Sequence, residues 1–94
     1  MRERAFTEEN EHYVDRVEFY KKEIETGTKE LELRKAKLDV LNEVLKSVES
    51  GSGKMILSED IQSAQTEITE LQKELSHARG NLKSFESIVE AFNS

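Results

Sequence analysis

Gly51-Ser52-Gly53-Lys54, near the middle of the chain, is the stretch whose residue types come nearest to a nucleotide site. A phosphate-binding loop has the pattern G-x-x-x-x-G-K-[ST] between a strand and a helix. Its backbone N–H groups cradle phosphate oxygens, and its Ser or Thr hydroxyl holds magnesium. With Gly53-Lys54 in the G-K positions, the first glycine falls on Val48 and the hydroxyl on Met55. The residues before it are patterned as a helix. The stretch therefore reads as a turn between helices, and no nucleotide is expected.

Other chemistry is equally thin. The 20 Asp and Glu residues are spread along polar faces, and nothing marks two of them for the shared burial that acid–base work needs. His12 and His77 have no second His and no Cys at ligand spacing on their own segments. Glu8, one turn before His12, is the nearest approach to a metal pair. There is no cysteine, which removes thiolate sites and disulfides together. No Ser/His/Asp arrangement can be drawn. The expectation is a non-enzyme with no catalytic residue, no metal and no cofactor.

The elements that carry these residues are read from composition and period. A chain of 94 residues allows one domain at most, and a core this small often needs a partner. Charged residues are 36% and there is no proline, which favours long helices bathed in water. The net charge of −6 argues against nucleic acid and against an anionic membrane surface. The opening "MRERAFTEENEH" lacks the apolar stretch of a secretory signal, and no apolar run reaches the length of a membrane span. The expected place is the cytoplasm, or export by a route that uses no cleaved signal.

Heptad spacing is the strongest pattern. Ile61, Ala64, Ile68, Leu71, Leu75, Ala78, Leu82, Phe85, Val89 and Phe92 occupy successive a and d positions without a break. The first half repeats it with Phe6, Tyr13, Val17, Tyr20, Ile24, Leu31, Leu38, Leu41, Leu45 and Val48. Asn10, Gly27 and Arg34 interrupt it. Glu18–Lys22, Glu25–Lys29 and Glu30–Arg34 add i,i+4 pairs in the favourable order. Thr7 is a candidate N-cap for the first helix and Ser58, ahead of Glu59 and Asp60, for the second. The expected fold is all-α, a two-helix antiparallel coiled-coil hairpin that assembles into a bundle. Residues 1–94 form one unit: helix 1 at about 7–49, a bend at 50–57, helix 2 at about 58–92.

Two registers bring a positions against d positions. The tight one sets Leu45 opposite Leu57, and the wide one sets Leu45 opposite Ala64. Flanking charges separate them. The tight register faces Lys21 with Arg79 and Glu30 with Glu74, and its one attraction is Lys37 with Glu67. The wide register faces Lys21 with Glu86 and Lys37 with Glu74. Each exposed pair contributes only about 0.3–0.5 kcal/mol, but the votes agree with a start at Ser58. The wide register is expected, with layers running from Val48/Ile61 to Val17/Phe92. Gly27 then faces Leu82, and Arg34 runs its stem along Leu75 with its head in water.

That register leaves two groups of apolar residues uncovered. Phe6 and Tyr13 overhang the end of helix 2. Phe19, Leu33 and Val40 recur at heptad position c, with Val44 beside them at g. Single exposed apolar residues are ordinary, whereas a strip of them reads as a partner surface. Phe6, Tyr13, Phe19, Leu33, Val40 and Val44 are the candidate partner-binding residues.

A short chain with two helices and a glycine turn, Gly51-Ser52-Gly53, resembles the Trp-X-Gly hairpin proteins of type VII secretion and their small helical partner proteins. The resemblance covers the whole chain in layout. There is no tryptophan, so the Trp-X-Gly turn itself is missing, and no Tyr-x-x-x-Asp/Glu tail follows helix 2. It therefore points to the accessory partners rather than to the motif-bearing substrates. It implies a helical adaptor or chaperone that pairs with a helical region of an exported protein. The expected function is an interaction module that binds another helical protein or itself. Two alternatives stand beside it. One is a coiled-coil finger whose tip acids Glu49, Glu59 and Asp60 would act on a large enzyme such as RNA polymerase, as transcript-cleavage factors do. The other is a segment of a longer structural rod, against which the Met1 start and the capped helix ends weigh mildly.

Overall fold

A computed structural model describes the backbone of residues 2–94 and the side chains of residues 7–94. Phe6, one of the candidate partner residues, therefore lies outside the described side chains. Two helices make up the fold, α1 (Arg2–Ser47) and α2 (Ser52–Asn93), which pack on each other as a helical hairpin. There is no strand among the described residues.

The turn is shorter than the sequence indicates, and both helices are longer. Helix α1 ends at Ser47, where the Val48 N–H donates to the Leu45 carbonyl at 3.3 Å and tightens the last turn. Gly51 follows at φ 139°, the sole positive-φ glycine among the described residues. Its carbonyl accepts the first helical bond of α2, from the Met55 N–H at 3.2 Å. The connection is thus Val48–Gly51, and the 50–57 bend is corrected. Thr7 lies inside α1 and Ser58 inside α2, so neither caps its helix. The physical reason is that nothing between Ser52 and Ser58 stops a helix. Gly53 costs only about 1 kcal/mol of propensity. Continuing the helix also brings Leu57 to position d, where it is half-buried.

Packing divides the chain into two compact units, residues 27–74 and residues 1–26 with 75–94. Within residues 27–74, the guanidinium of Arg34 donates to Glu67 at 2.8 Å and to Glu30 at 3.0 Å. Buried Ile61 and Ile68 form the centre of its seam, with half-buried Leu31, Leu38, Leu41, Leu45, Leu57, Ala64 and Leu71 around them. Within the other unit, Tyr20 stacks on Phe85 at 5.7 Å and 17°. Tyr13 lies 6.0 Å from Phe85 and 5.7 Å from Phe92. Val17, Leu75 and Ala78 are the buried residues of that unit.

These contacts select the tight register and overturn the wide one. In the tight register each layer pairs residues equidistant from Gly51: Leu45 with Leu57, Leu41 with Ile61, Tyr20 with Leu82, Val17 with Phe85. Tyr13 then falls between Phe85 and Phe92, as observed. In the wide register it would overhang the end of α2, several turns from Phe85. Tyr13 is not an overhanging residue but part of the seam, and Leu82 faces Tyr20 rather than Gly27. The magnitudes explain the choice. An aromatic pair adds about 0.5–1.5 kcal/mol beyond its buried area, and three ring pairs form here. Exposed charge pairs contribute about a third of that each. The anticipated clash at Glu30 is also relieved, because Glu30 turns to Arg34.

Two predictions follow from this geometry. Leu45→Cys with Leu57→Cys should close an intramolecular disulfide under mild oxidation, and Leu45→Cys with Ala64→Cys should not, since only facing positions come within bridging reach. Crosslinking of the second pair alone would restore the wide register. The glycines should respond in opposite directions. Gly51→Ala forces a side chain into a positive-φ conformation and should lower stability by about 1–2 kcal/mol in a urea titration. Gly80→Ala should raise it by about 0.5–1 kcal/mol, because Gly80 is inside α2 and an added Cβ meets nothing within 4 Å.

Candidate functional site

The heptad period of α1 sorts its apolar residues into two sets. The a and d positions go into the seam, and position c, with g beside it, lies on one flank. Leu33 is 68% exposed and Val40 61%, so a sizeable apolar area faces water on the 27–74 unit. Val44 is exposed beside them. These three expected residues are brought together on one flank of that unit. Phe19 is also exposed, in the other unit, with its ring edge-on to Tyr20 at 5.2 Å. Tyr13 is half-buried in the aromatic cluster, with the His12 ring edge-on at 5.3 Å.

The strip has a member that the sequence reading assigned to the bend. Ile56 is helical and 60% exposed. Counting heptads back from Ile61 through Leu57 puts Ile56 at position c of α2. Across an antiparallel pair g lies beside g, so the c/g flanks of both helices share one side. Ile56 therefore belongs to the same flank as Leu33, Val40 and Val44. The signal is in the sequence, since the heptad pattern runs back unbroken from Ile61 to Leu57 and Ile56. Met55, also exposed, sits at the neighbouring b position on the outer side of α2.

The flank is edged by charge. On α1 it carries Glu30, Arg34 and Lys37. On α2 it carries Asp60, Glu67, Glu70 and Glu74 at positions g and c. Arg34 bridges Glu30 and Glu67 with about a third of its side chain still in water. At that exposure the bridge contributes about 0.2–1 kcal/mol, and its main effect is to hold Arg34 out of the seam toward this side.

Little else is shaped to hold a small molecule. In the unit of residues 1–26 and 75–94, a groove of about 390 Å³ has Val14, Val17 and Val89 in its floor and Glu18, Lys21 and Glu86 at its rim. It is open to solvent along its length, unlike the concave pockets that enclose ligands. Among the described residues, no three His, Cys, Asp or Glu side chains converge to hold a metal ion. Gly51-Ser52-Gly53-Lys54 forms the end of the turn and the first turn of α2, with Val48 packed 3.8 Å from the Cβ position of Gly53. Glu59 and Asp60 lie inside α2, two turns beyond Gly51 rather than at the tip. No described helix is long and apolar enough to cross a membrane. Comparison with protein-family models, curated proteins and solved structures gives no match.

Proposed function

We propose that this chain is a non-enzymatic helical interaction module. It docks a helix of another protein, or of a second copy, on the flank formed by Leu33, Val40, Val44 and Ile56. The observation that carries the reading is the exposure of Leu33 and Val40, one heptad apart on a helix whose seam is already filled. A two-helix hairpin has a single seam. Among the described residues only Val17, Ile61, Ile68, Leu75 and Ala78 are buried, and none completely. A third helix laid on the strip would remove further apolar surface from water at about 25 cal/mol per Å², converting the hairpin into a bundle. An adaptor or chaperone role of the kind held by type VII secretion partner proteins fits this reading in layout. Of the three acids of the finger alternative, Glu49 lies in the connection, while Glu59 and Asp60 lie inside α2.

The test uses a labelled amphipathic peptide of about 20 residues, long enough for a marginal helix, with a leucine stripe and uncharged flanks. Fluorescence anisotropy should register binding to the parent. Leu33→Gln with Val40→Gln should weaken it about tenfold or more, since each lost apolar anchor is worth about 1.5–3 kcal/mol. Circular dichroism should stay helical, because both sites lie outside the seam. Equal binding by the double variant, or no binding by the parent, would remove this function from the strip.

A further inference from the structure

We infer that the occupant of the 27–74 flank is a basic amphipathic helix from a different protein, and not a second copy of this chain. The inference rests on the docking reading above and adds the chemistry of the partner. Its ground is the charge that borders the strip. Seven charged groups face this side: Glu30, Arg34 and Lys37 from α1, and Asp60, Glu67, Glu70 and Glu74 from α2. Five are carboxylates. Of the two cations, Arg34 lies 3.0 Å from Glu30 and 2.8 Å from Glu67 and so answers two of these carboxylates; five acids against two cations leave this side at −3.

Equal distance from Gly51 fixes where the acids lie along the strip. Asp60 and Glu67 stand level with the Leu33–Val44 segment of α1, and Glu70 with residue 32 at its end. A helix resting on Leu33, Val40 and Val44 would thus run beside a row of carboxylates. Lysine or arginine flanking its apolar stripe would meet opposite charge there. Acidic residues in the same places would meet like charge, which sets specificity against them.

A second copy fails on the same geometry. Stacked flank to flank with α1 over α1 and α2 over α2, two copies bring the α2 acids against each other, Glu67 among them. Stacked with α1 over α2, they set Leu33 and Val40 against Asp60, Glu67 and Glu70. The first arrangement opposes like charges, and the second puts carboxylates on apolar surface that should be buried. A basic helix avoids both.

The experiment compares three peptides sharing one leucine stripe, with flanks of lysine, glutamate or uncharged residues, against the full chain. The lysine-flanked peptide should bind about tenfold or more tightly than the glutamate-flanked one at low salt, and the gap should narrow as salt screens the flank. Asp60→Lys with Glu70→Lys should reverse the order of preference while circular dichroism stays helical. Light scattering of the free chain should give the mass of a monomer. Equal affinity for lysine and glutamate flanks, or an order unmoved by the double reversal, overturns this inference alone if the uncharged peptide still binds and Leu33→Gln with Val40→Gln still loses it. Failure of all three peptides overturns the docking reading as well. A dimer disrupted by Leu33→Gln with Val40→Gln would assign the flank to a second copy, against this proposal.

Discussion

Three ring contacts, Tyr20 on Phe85 and Tyr13 between Phe85 and Phe92, are the interaction on which the rest of the arrangement depends. A heptad seam is permissive by itself. Any slide by whole heptads keeps a positions against d positions, and aliphatic layers such as Leu41/Ile61 or Leu41/Ile68 tolerate either setting. Large flat rings do not. Tyr13 finds partners only if α2 reaches it, and that happens in the register centred on Gly51. The same register permits a connection of only Val48–Gly51 and supplies Leu57 as a partner for Leu45. It also sets Glu67 within reach of Arg34. Turn length, helix start and ion pair each agree with that alignment.

Much of this was legible in the sequence. The two helices, the hairpin and the half-buried or buried state of the a and d positions follow from spacing alone, because a regular 3–4 alternation in so polar a chain has one helical face on which to converge. Gly27 and Arg34 stay in the seam without breaking it. Arg34 leaves its stem half-buried and carries its charge out to Glu30 and Glu67. The exposed residues Phe19, Leu33 and Val40 were also readable, since position c cannot face a single partner helix, and Val44 stands beside them at g.

The register and the start of α2 were not, for related reasons. Charge pairs and the apparent start at Ser58 both favour the wide register, but exposed charges are weak and adjustable: Glu30 simply turns to Arg34. The aromatic residues carried the larger energy, but their mutual fit depends on ring orientation, which spacing does not specify. Ser58 followed by Glu59 and Asp60 looked like a helix start because those residue types suit a first turn. A helix already begun at Ser52 accommodates them equally well on its outer face. A helix start at Ser58 would leave Leu57 out of the seam and Ile56 in the bend, whereas a start at Ser52 carries both on the helix.

A seam so thin that none of its described residues is fully enclosed, beside a strip of Leu33, Val40, Val44 and Ile56 left in water, is the physical basis for proposing that the chain takes a further helix on that strip. The most direct measurement is methyl NMR with a soluble paramagnetic agent, before and after addition of the lysine-flanked peptide. The account predicts strong relaxation of the Leu33, Val40, Val44 and Ile56 methyls in the free chain, weak relaxation of Ile61 and Ile68, and protection of the first group alone once the peptide is bound. Protection of those four methyls in the free chain, or a bound peptide that leaves them as exposed as before, would contradict it.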